Sequence, residues 1–357
     1  MRTRELGIEI GTGTPGRNNA ITDVAGVRVG FTTLIEGDDV RTGVTVVLPP
    51  EEPLFAGPHR LNGNGELTGL EWVRESGMLT TPVAITNTHS VGVVHDALIQ
   101  AAIERGLGEE AWSLPVVGET FDGSLNDING MHVRPEHVFA ALEAAADGPV
   151  AEGNVGGGTG MICHGFKGGT GTASRVLGDE AGAYTVGVLV QANHGRRDRL
   201  AIDGVPIGRD IPPNRVPLPG ADSPTGSIIG IVATDAPLLP GQCARLAQRA
   251  GFGVARTGGA GENSSGDIFL AFASGNRDLG GTEGTVGLEM LPNERLNPLF
   301  YAAIEATEEA IVNALVGAET LTGRGGVTAY ALEPELLLEA LARRRGGTSA
   351  SKEARSL

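Results

Sequence analysis

The segment that decides the fold is GGAGENSSGD, residues 258–267, which runs directly into the apolar stretch IFLAF, residues 268–272. Consecutive apolar residues after a turn-forming segment are typical of a buried β-strand. Glycine permits tight and left-handed backbone conformations, so this segment can hold a serine hydroxyl at the lip of that strand. By itself such a cluster is more often an ordinary loop. The choice between a loop and a reactive serine therefore depends on the rest of the chain.

The composition is that of a large globular chain with an excess of glycine. The 357 residues are 40% hydrophobic, which is enough for a sizeable core. They include 56 glycines, roughly twice the usual share of about 7%. The glycines are spread along the chain without a collagen-like period, and this indicates many tight turns and close backbone approaches in a layered fold.

The charge and the cysteine content exclude several classes of protein. A net charge of −16 argues against a nucleic-acid partner, because binding to a duplex needs a basic face. Cys163 and Cys243 are too few for a disulfide framework, and neither they nor the seven scattered histidines have metal-ligand spacing. No metal and no cofactor are therefore expected. The N-terminus lacks an apolar signal segment and no stretch approaches the length of a membrane span, so a soluble, cytoplasmic protein without membrane partners is expected.

Two glycine-rich segments approach nucleotide-binding motifs without satisfying them. GTGTPG, residues 11–16, follows an alternating stretch at 6–10 that is expected to form a short strand. No helix of useful length fits between it and the next strand-like run at 27–31, so a phosphate would meet no helix N-terminus. The second segment, 153–173, lacks the Gly-Lys-Ser/Thr order of a Walker motif. We expect it instead to pass closely beneath an active site.

The hydrophobic pattern elsewhere predicts both strands and helices. The predicted strands are residues 42–48, 83–88, 115–120, 184–193 and 227–233. The predicted helices are residues 67–75, 90–106, 135–146, 297–315 and about 336–345. A further helix is predicted to end at Arg249 and to have Thr234 or Asp235 as its N-cap. The basic, polar tail, residues 346–357, is expected to be disordered.

Polar residues at the ends of these elements are candidates for a site. FDGSLND, residues 121–127, is an acidic turn after a strand, and it is either a solvated loop or a place to hold a substrate ammonium. Asn193 ends a buried strand, either as a turn former or as an amide donor in an oxyanion hole. Thr307 and Glu309 lie two apart on the late helix, where both can flank a pocket at the helix edge.

A series of short segments resembles one family of enzymes. RELG at 4–7, GTGTPG at 11–16 and NAITDVAGV at 19–27 are similar to the start of the DmpA/BapA-type aminopeptidases, the L-aminopeptidase/D-Ala-esterases and β-peptidyl aminopeptidases. Further similar segments are TNT at 86–88, LND at 125–127, GTGM at 158–161, QAN at 191–193, ATDAP at 233–237, SGD at 265–267 and ATEE at 306–309. They span almost the whole chain in order, so the resemblance is far more specific than any one motif.

The resemblance implies an α+β fold, a four-layer αββα sandwich of the type shared with ornithine acetyltransferase, with residues 1–357 as a single catalytic domain. The precursor is expected to cut itself just before a serine. The SGD match puts this serine at Ser265, which gives an α-chain of residues 1–264 and a β-chain of residues 265–357. Ser264 stands where family members commonly have glycine, and this predicts slower processing or a start shifted by one residue.

The chemistry of such a nucleophile follows from its residues. Once Ser265 is N-terminal, its own α-amine can take the proton of its hydroxyl, because an amine pKa of about 8 lies close to working pH. The amide of Asn193 can stabilise the tetrahedral oxyanion, an effect worth about 3–4 kcal/mol per donor. The resemblance assigns Thr307 and Glu309 to orient the amine.

The same resemblance implies a small peptide, amide or ester substrate whose free amino group is read by Glu119, Ser124 and Asn126. It also implies a homo-oligomer, a tetramer or larger, which would cover the edges of a glycine-rich sandwich. Two alternatives stay open. An acyltransferase of ornithine-acetyltransferase type would use a threonine nucleophile, and Thr257 lacks the following Gly-Asp context. The other alternative is an uncleaved, non-enzymatic binding protein of the same fold.

Overall fold

The computed structural model describes residues 1–50, 53–108, 111–220, 226–281 and 283–353, with side chains up to residue 344. The helices are α1 (Leu70–Ser76), α2 (Val91–Glu104), α3 (Pro135–Glu143), α4 (Pro240–Arg256), α5 (Asn297–Val316) and α6 (Pro334–Glu353). The strands are β1 (Arg28–Glu36), β2 (Val40–Leu48), β3 (Leu54–Gly63), β4 (Met78–Leu79), β5 (Val83–Asn87), β6 (Val116–Thr120), β7 (Ile162–Cys163), β8 (Phe166–Lys167), β9 (Gly169–Val176), β10 (Thr185–Asn193), β11 (Ser227–Thr234), β12 (Gly266–Ala273), β13 (Leu321–Thr322) and β14 (Thr328–Ala329).

Two large sheets organise these strands. The smaller sheet has four strands in the order β1-β2-β5-β6, and the larger has six in the order β4-β3-β12-β11-β10-β9. β11 and β12 are parallel neighbours in the middle of the larger sheet, and β12 pairs antiparallel with β3 on its other side. The strand that follows the Ser-Gly-Asp motif is therefore an interior strand with a partner on each side.

Three layers of apolar side chains hold the sheets and helices together. Side chains from both sheets, including Ile85 and Leu270, form the core between them. The outer face of the smaller sheet packs on α2 and α3, and that of the larger sheet packs on α4 and α5. The layer order is helix, sheet, sheet, helix, so the predicted αββα sandwich is confirmed.

The apolar run of β12 follows from its position between two of these layers. Ile268, Leu270 and Phe272 face the core between the sheets, whereas Phe269 and Ala271 face the helices. Successive side chains of a strand point to opposite faces, so a strand buried on both faces needs an apolar residue at nearly every position.

Glycine allows the helices to lie directly on the sheets at two points. A Cβ atom added at Gly171 on β9 would lie 2.0 Å from the carbonyl oxygen of Ala310 on α5. At Gly30 on β1 it would lie 2.0 Å from the carbonyl oxygen of Ala141 on α3. The glycine excess thus has the structural role expected of it, the close approach of backbones.

Several local predictions differ from the structure. Residues 6–10 form no strand: a short 3₁₀ helix, Thr3–Leu6, ends at Gly7 with a φ of 73°, and Ile8 and Ile10 then enter the core. Helix α4 begins at Pro240, with Leu239 rather than Thr234 or Asp235 at the N-cap, because a proline in the first turn fits that position. The carboxylate of Asp235 instead accepts a hydrogen bond from the Thr185 backbone nitrogen at 2.7 Å.

The C-terminal part of the chain is described only in part. Helix α6 extends to Glu353, beyond the last side chain described, and residues 354–357 lie outside the described residues. The disorder expected for 346–357 stays a prediction. In the part of the chain that the structure describes, no helix combines the length and the apolar character needed to cross a bilayer.

Candidate active site

Ser265 lies at the entrance of β12, where the glycine-rich segment after α4 meets the larger sheet. Its side chain is nearly inaccessible, with 1% of the residue surface exposed. Its hydroxyl donates a hydrogen bond to Asp267 Oδ1 at 2.6 Å and also contacts the carbonyl oxygen of Gly226. Burial raises the pKa of Asp267 to about 6, although the hydrogen bond from Ser265 favours the charged form. The Ser265 hydroxyl is thus held in contact with a carboxylate whose pKa is raised towards neutral pH.

The peptide bond before Ser265 is held by the end of β3. The carbonyl oxygen of Ser264 accepts a hydrogen bond from Asn64 Nδ2 at 2.7 Å. The backbone nitrogen of Ser265 donates to the Glu262 carbonyl at 2.8 Å, which closes a turn, and Asn62 Nδ2 donates to the same carbonyl at 2.9 Å. The sequence analysis gave Asn64 and Asp267 no role. Two side-chain amides therefore fix the segment in which the cut is expected.

Asn193 lies beside this serine at the end of β10. Its Oδ1 accepts from the Ile162 backbone nitrogen at 2.8 Å, and its Nδ2 donates to the Phe121 carbonyl at 3.0 Å. A Cβ atom added at Gly226, the residue whose carbonyl contacts Ser265, would lie 2.4 Å from Asn193 Nδ2. The amide is thus rigidly positioned, with Gly226 between it and Ser265.

Glu119 is the second-to-last residue of β6, and its carboxylate is buried near the start of β12. Only 3% of the residue is exposed. Its Oε1 accepts from the Glu66 backbone nitrogen at 2.9 Å, and its Oε2 accepts from the Thr88 hydroxyl. A Cβ atom added at Gly65 would lie 3.1 Å from Gly266 Cα and 3.2 Å from Glu119 Oε1, so the carboxylate and the residue after the serine flank one glycine. Burial raises the pKa of Glu119.

The acidic turn at 121–127 is more buried than a solvated loop. Asn126 is buried, and its Oδ1 accepts from the Arg41 backbone nitrogen at 2.9 Å, which ties the turn to β2. Asp122 is fully buried, and burial raises its pKa to about 7. Ser124 is half-buried. The turn is therefore packed into the protein by buried side chains and by its contact with β2. The substrate-binding roles of Ser124 and Asn126 stay predictions.

Thr307 and Glu309 make contacts on different sides of α5. The Thr307 hydroxyl donates to the Ala303 carbonyl at 2.7 Å, and its Cβ lies against Gly253 of α4. Residues two apart on a helix are separated by about 200° around its axis. Glu309 accordingly lies on the other side of α5 from Thr307, where it contacts Arg4 and Arg175. The structure does not bring these two side chains together, and their assignment to the Ser265 amine stays a prediction.

Glu309 is the centre of a buried ion-pair network. Its carboxylate accepts hydrogen bonds from Arg4 at 2.8 and 3.1 Å, from Asn19 at 2.6 Å and from Arg175 at 2.7 Å. Arg175 is itself fully buried and also pairs with Glu305 at 3.2 Å. These contacts join α5, β9 and the N-terminal segment, so they define a structural role for this carboxylate.

Glu308, to which the sequence analysis assigned no role in the site, faces α4. Its carboxylate pairs with Arg256 at 2.5 Å, at the end of the helix that leads into the glycine-rich segment. Burial raises its pKa, against the opposing charge of Arg256. The adjacent Thr257 is fully buried, and its hydroxyl donates to the Val254 carbonyl at 2.8 Å as part of the helix end.

A buried serine after a glycine-rich turn, at the start of a central strand in an αββα sandwich, defines a hydrolase with the N-terminal-nucleophile fold. The sequence profile of peptidase family S58 matches residues 19–329. The chain belongs to peptidase family S58, and it is an aminopeptidase of the self-processing kind. This assignment favours the aminopeptidase over the two alternatives, the uncleaved binding protein and the acyltransferase.

Relatives and solved structures agree with the family assignment. The chain is 49% identical over 376 aligned residues to the β-peptidyl aminopeptidase BapA of Sphingosinicella microcystinivorans, covering 98% of this chain and 94% of that protein. A Burkholderia β-aminopeptidase of known structure has 56% sequence identity to this chain. The two structures superpose with a TM-score of 0.91, over 96% of this chain and 99% of that one. The L-aminopeptidase D-Ala-esterase/amidase of Ochrobactrum anthropi, described as a prototype for the serine aminopeptidases and as a variant of the Ntn hydrolase fold, is 44% identical, with a TM-score of 0.88 over 97% of this chain and 99% of that one.

Glu309→Gln separates a structural role from a role in orienting the amine. The substitution leaves the buried Arg4–Arg175 pair without its central negative charge, so we expect the free energy of unfolding to fall by about 3 kcal/mol or more. Urea unfolding in a Ser265→Ala background, which keeps the chain whole, measures the change. Glu319→Gln at an exposed position is the control and should unfold like its parent. Unchanged stability in that background, together with lost peptidase activity of Glu309→Gln in the chain that keeps Ser265, would contradict the structural role.

Proposed function

We propose that the chain cuts itself between Ser264 and Ser265 and that Ser265 then removes N-terminal residues from short peptides, amides or esters. The 2.6 Å hydrogen bond from Ser265 Oγ to Asp267 Oδ1, buried at the entrance of β12, carries this proposal. It supplies what a serine hydroxyl lacks in an intact chain, namely a base for its proton.

In the self-cleavage step, Ser265 Oγ attacks the carbonyl carbon of Ser264, and Asp267 takes the hydroxyl proton. The developing oxyanion is the Ser264 carbonyl oxygen, to which Asn64 Nδ2 already donates at 2.7 Å. The C–N bond between the two serines then breaks, and Asp267 returns the proton to the leaving nitrogen. The resulting ester is hydrolysed by water, which leaves a carboxylate on Ser264 and a free hydroxyl and amine on Ser265.

In the mature enzyme the new α-amine replaces Asp267 as the nearest base. A free α-amine has a pKa of about 8 and is partly neutral at working pH. Ser265 Oγ attacks the substrate carbonyl, the amine takes its proton and returns it to the leaving group, and water releases the acyl group. The position of Asn193, one glycine away from Ser265, supports the amide as a donor to the substrate oxyanion.

Glu119 is the proposed partner of the substrate ammonium. The carboxylate is buried beside the residue that follows the nucleophile, and its pKa is raised because burial disfavours the charged form. A substrate amino group would supply that positive charge. The β-peptidyl aminopeptidases and the L-aminopeptidase among the similar proteins support this class of substrate for the chain.

Asp267→Asn removes the proposed base for self-cleavage while keeping the size of the side chain. We expect processing of freshly synthesised chain to slow by about a hundredfold or more, because a positioned base contributes roughly 10²–10⁴. In the parent chain the rate should rise with pH as Asp267 ionises, since the base must be charged and burial raises the pKa of Asp267 to about 6. Cell-free synthesis at fixed pH, followed by denaturing gels, measures both.

Asp235→Asn is the matched control for this experiment. Asp235 is also a partly buried carboxylate at a strand end, and burial raises its pKa as well, but it follows the far end of β11. Its processing should equal that of the parent chain. Normal cleavage and an unchanged pH profile in Asp267→Asn would contradict the base role.

Glu119→Gln tests recognition of the substrate amino group. We expect kcat/KM for a free-amine dipeptide anilide to fall about ten- to a hundredfold, because the ammonium loses a buried charged partner. Self-cleavage should proceed normally, since the precursor presents no ammonium. Glu104→Gln, an exposed carboxylate on α2, is the control and should keep the parent rate. Equal parent rates on free and N-acetylated substrates would show a general hydrolase and overturn the proposal.

A further inference from the structure

Two consecutive ligand-type residues, Cys163 and His164, lie together in the interior with a third that is distant in the sequence, His194. Cys163, His164 and His194 are each fully or almost fully buried, and one potential ligand atom of each lies within 4.8 Å of the other two. Cys163 Sγ is 3.9 Å from His194 Nδ1. We propose that these three residues form a binding site for a thiophilic transition-metal ion, with Zn²⁺ as the best match.

The hydrogen bonds of His164 leave one ring nitrogen free to bind a metal. Its Nδ1 lies 3.0 Å from the Arg196 carbonyl oxygen, and because a carbonyl only accepts, Nδ1 carries the hydrogen. In the neutral ring Nε2 then has a lone pair. This Nε2 is buried and has no hydrogen-bond partner among the described residues. A histidine that donates one nitrogen to a backbone carbonyl and offers the other is the usual arrangement of a metal ligand.

The other two side chains are placed at a suitable spacing. Zinc binds sulfur at about 2.3 Å and imidazole nitrogen at about 2.0–2.1 Å, so a tetrahedral ion holds such a pair about 3.6 Å apart. The separation of 3.9 Å between Cys163 Sγ and His194 Nδ1 needs only a small inward shift. Thiolate and imidazole together favour Zn²⁺ over hard cations such as Mg²⁺.

The backbone fixes the three residues relative to one another. Cys163 ends β7, and His164 and Gly165 form the two-residue turn into β8, with φ values of 50° and 69°. The backbone nitrogen of His164 donates to the His194 carbonyl at 2.7 Å, which ties the turn to the end of β10. A cluster on paired strands is more precisely positioned than one on a loose loop.

A surface pocket lies close to the cluster. A Cβ atom added at Gly259 would lie 3.0 Å from His194 Cδ2, so this glycine lies against the imidazole ring. Gly259 also lines a surface pocket together with Asp198 and Arg199. Binding would release the thiol proton of Cys163 to solvent and form a sulfur–metal bond. Since His194 directly follows Asn193, the ion would brace the strand end that holds this amide.

The metal content of the protein tests this site directly. Protein expressed in zinc-supplemented medium and dialysed is expected to carry about one zinc per chain by mass spectrometry of the metal. Cys163→Ser should lose the zinc. Cys243→Ser is the matched control, since Cys243 is the other buried free cysteine and lies near no histidine of the cluster. It should retain the zinc.

Cobalt substitution gives a second measurement, which can be made on the parent protein itself. Co²⁺-loaded protein should show thiolate-to-cobalt charge-transfer absorption in the near ultraviolet, which Cys243→Ser keeps and His164→Gln weakens. Zinc well below one equivalent in the parent protein, or a parent Co²⁺ spectrum without the charge-transfer band, would overturn the site. Equal zinc in a folded Cys163→Ser variant would overturn it as well.

Discussion

The hydrogen bond between Ser265 and Asp267 depends on the central position of β12. Residues two apart on a strand point to the same side, so the two side chains meet only if the strand is regular up to Gly266. That glycine is required because a Cβ there would lie 2.5 Å from the Asn64 carbonyl oxygen. β11 and β3 hold the strand from both sides. This explains the Ser-Gly-Asp order. Ser265 and Asp267 form the hydrogen bond, and the residue between them must be glycine because the backbone of Asn64 passes close to it.

The carboxylates near Ser265 differ from Glu309 in their partners. Asp267 and Glu119 lie near the start of β12, have mainly neutral hydrogen-bond partners, and have raised pKa values because burial disfavours their charge. Glu309 instead forms ion pairs with Arg4 and Arg175. Raised carboxyl pKa values in a buried cluster are typical of reactive sites. Full ion pairing instead stabilises the packing of α5 on β9.

Much of the architecture could be predicted from the sequence, because apolar periodicity is a local property. The strand after Ser265 and helices α2, α3 and α5 follow their hydrophobic patterns, and the family segments predicted the αββα sandwich correctly. Strands β3 and β9 were missed, since glycine and polar residues break their pattern and only pairing with β12 and β10 makes them strands.

The site depends on contacts that the sequence does not reveal. Asn64 donates a hydrogen bond to the carbonyl oxygen of Ser264, which is 200 residues later in the sequence. Cys163 and His194 come together only when β7 packs beside β10. The family resemblance assigns Thr307 and Glu309 to one task, and that assignment stays a prediction. In the structure the two side chains contact different neighbours, and the ion-pair partners of Glu309 come from the N-terminal segment and β9.

The start of the smaller fragment is the most direct test of the central claim that Ser265 becomes the nucleophile. Purified protein should give two bands on a denaturing gel, and N-terminal sequencing of the smaller band should read Ser-Gly-Asp-Ile-Phe, from Ser265. The intact masses should match residues 1–264 and 265–357. A single uncut chain, or a fragment that begins at any other residue, would contradict the account.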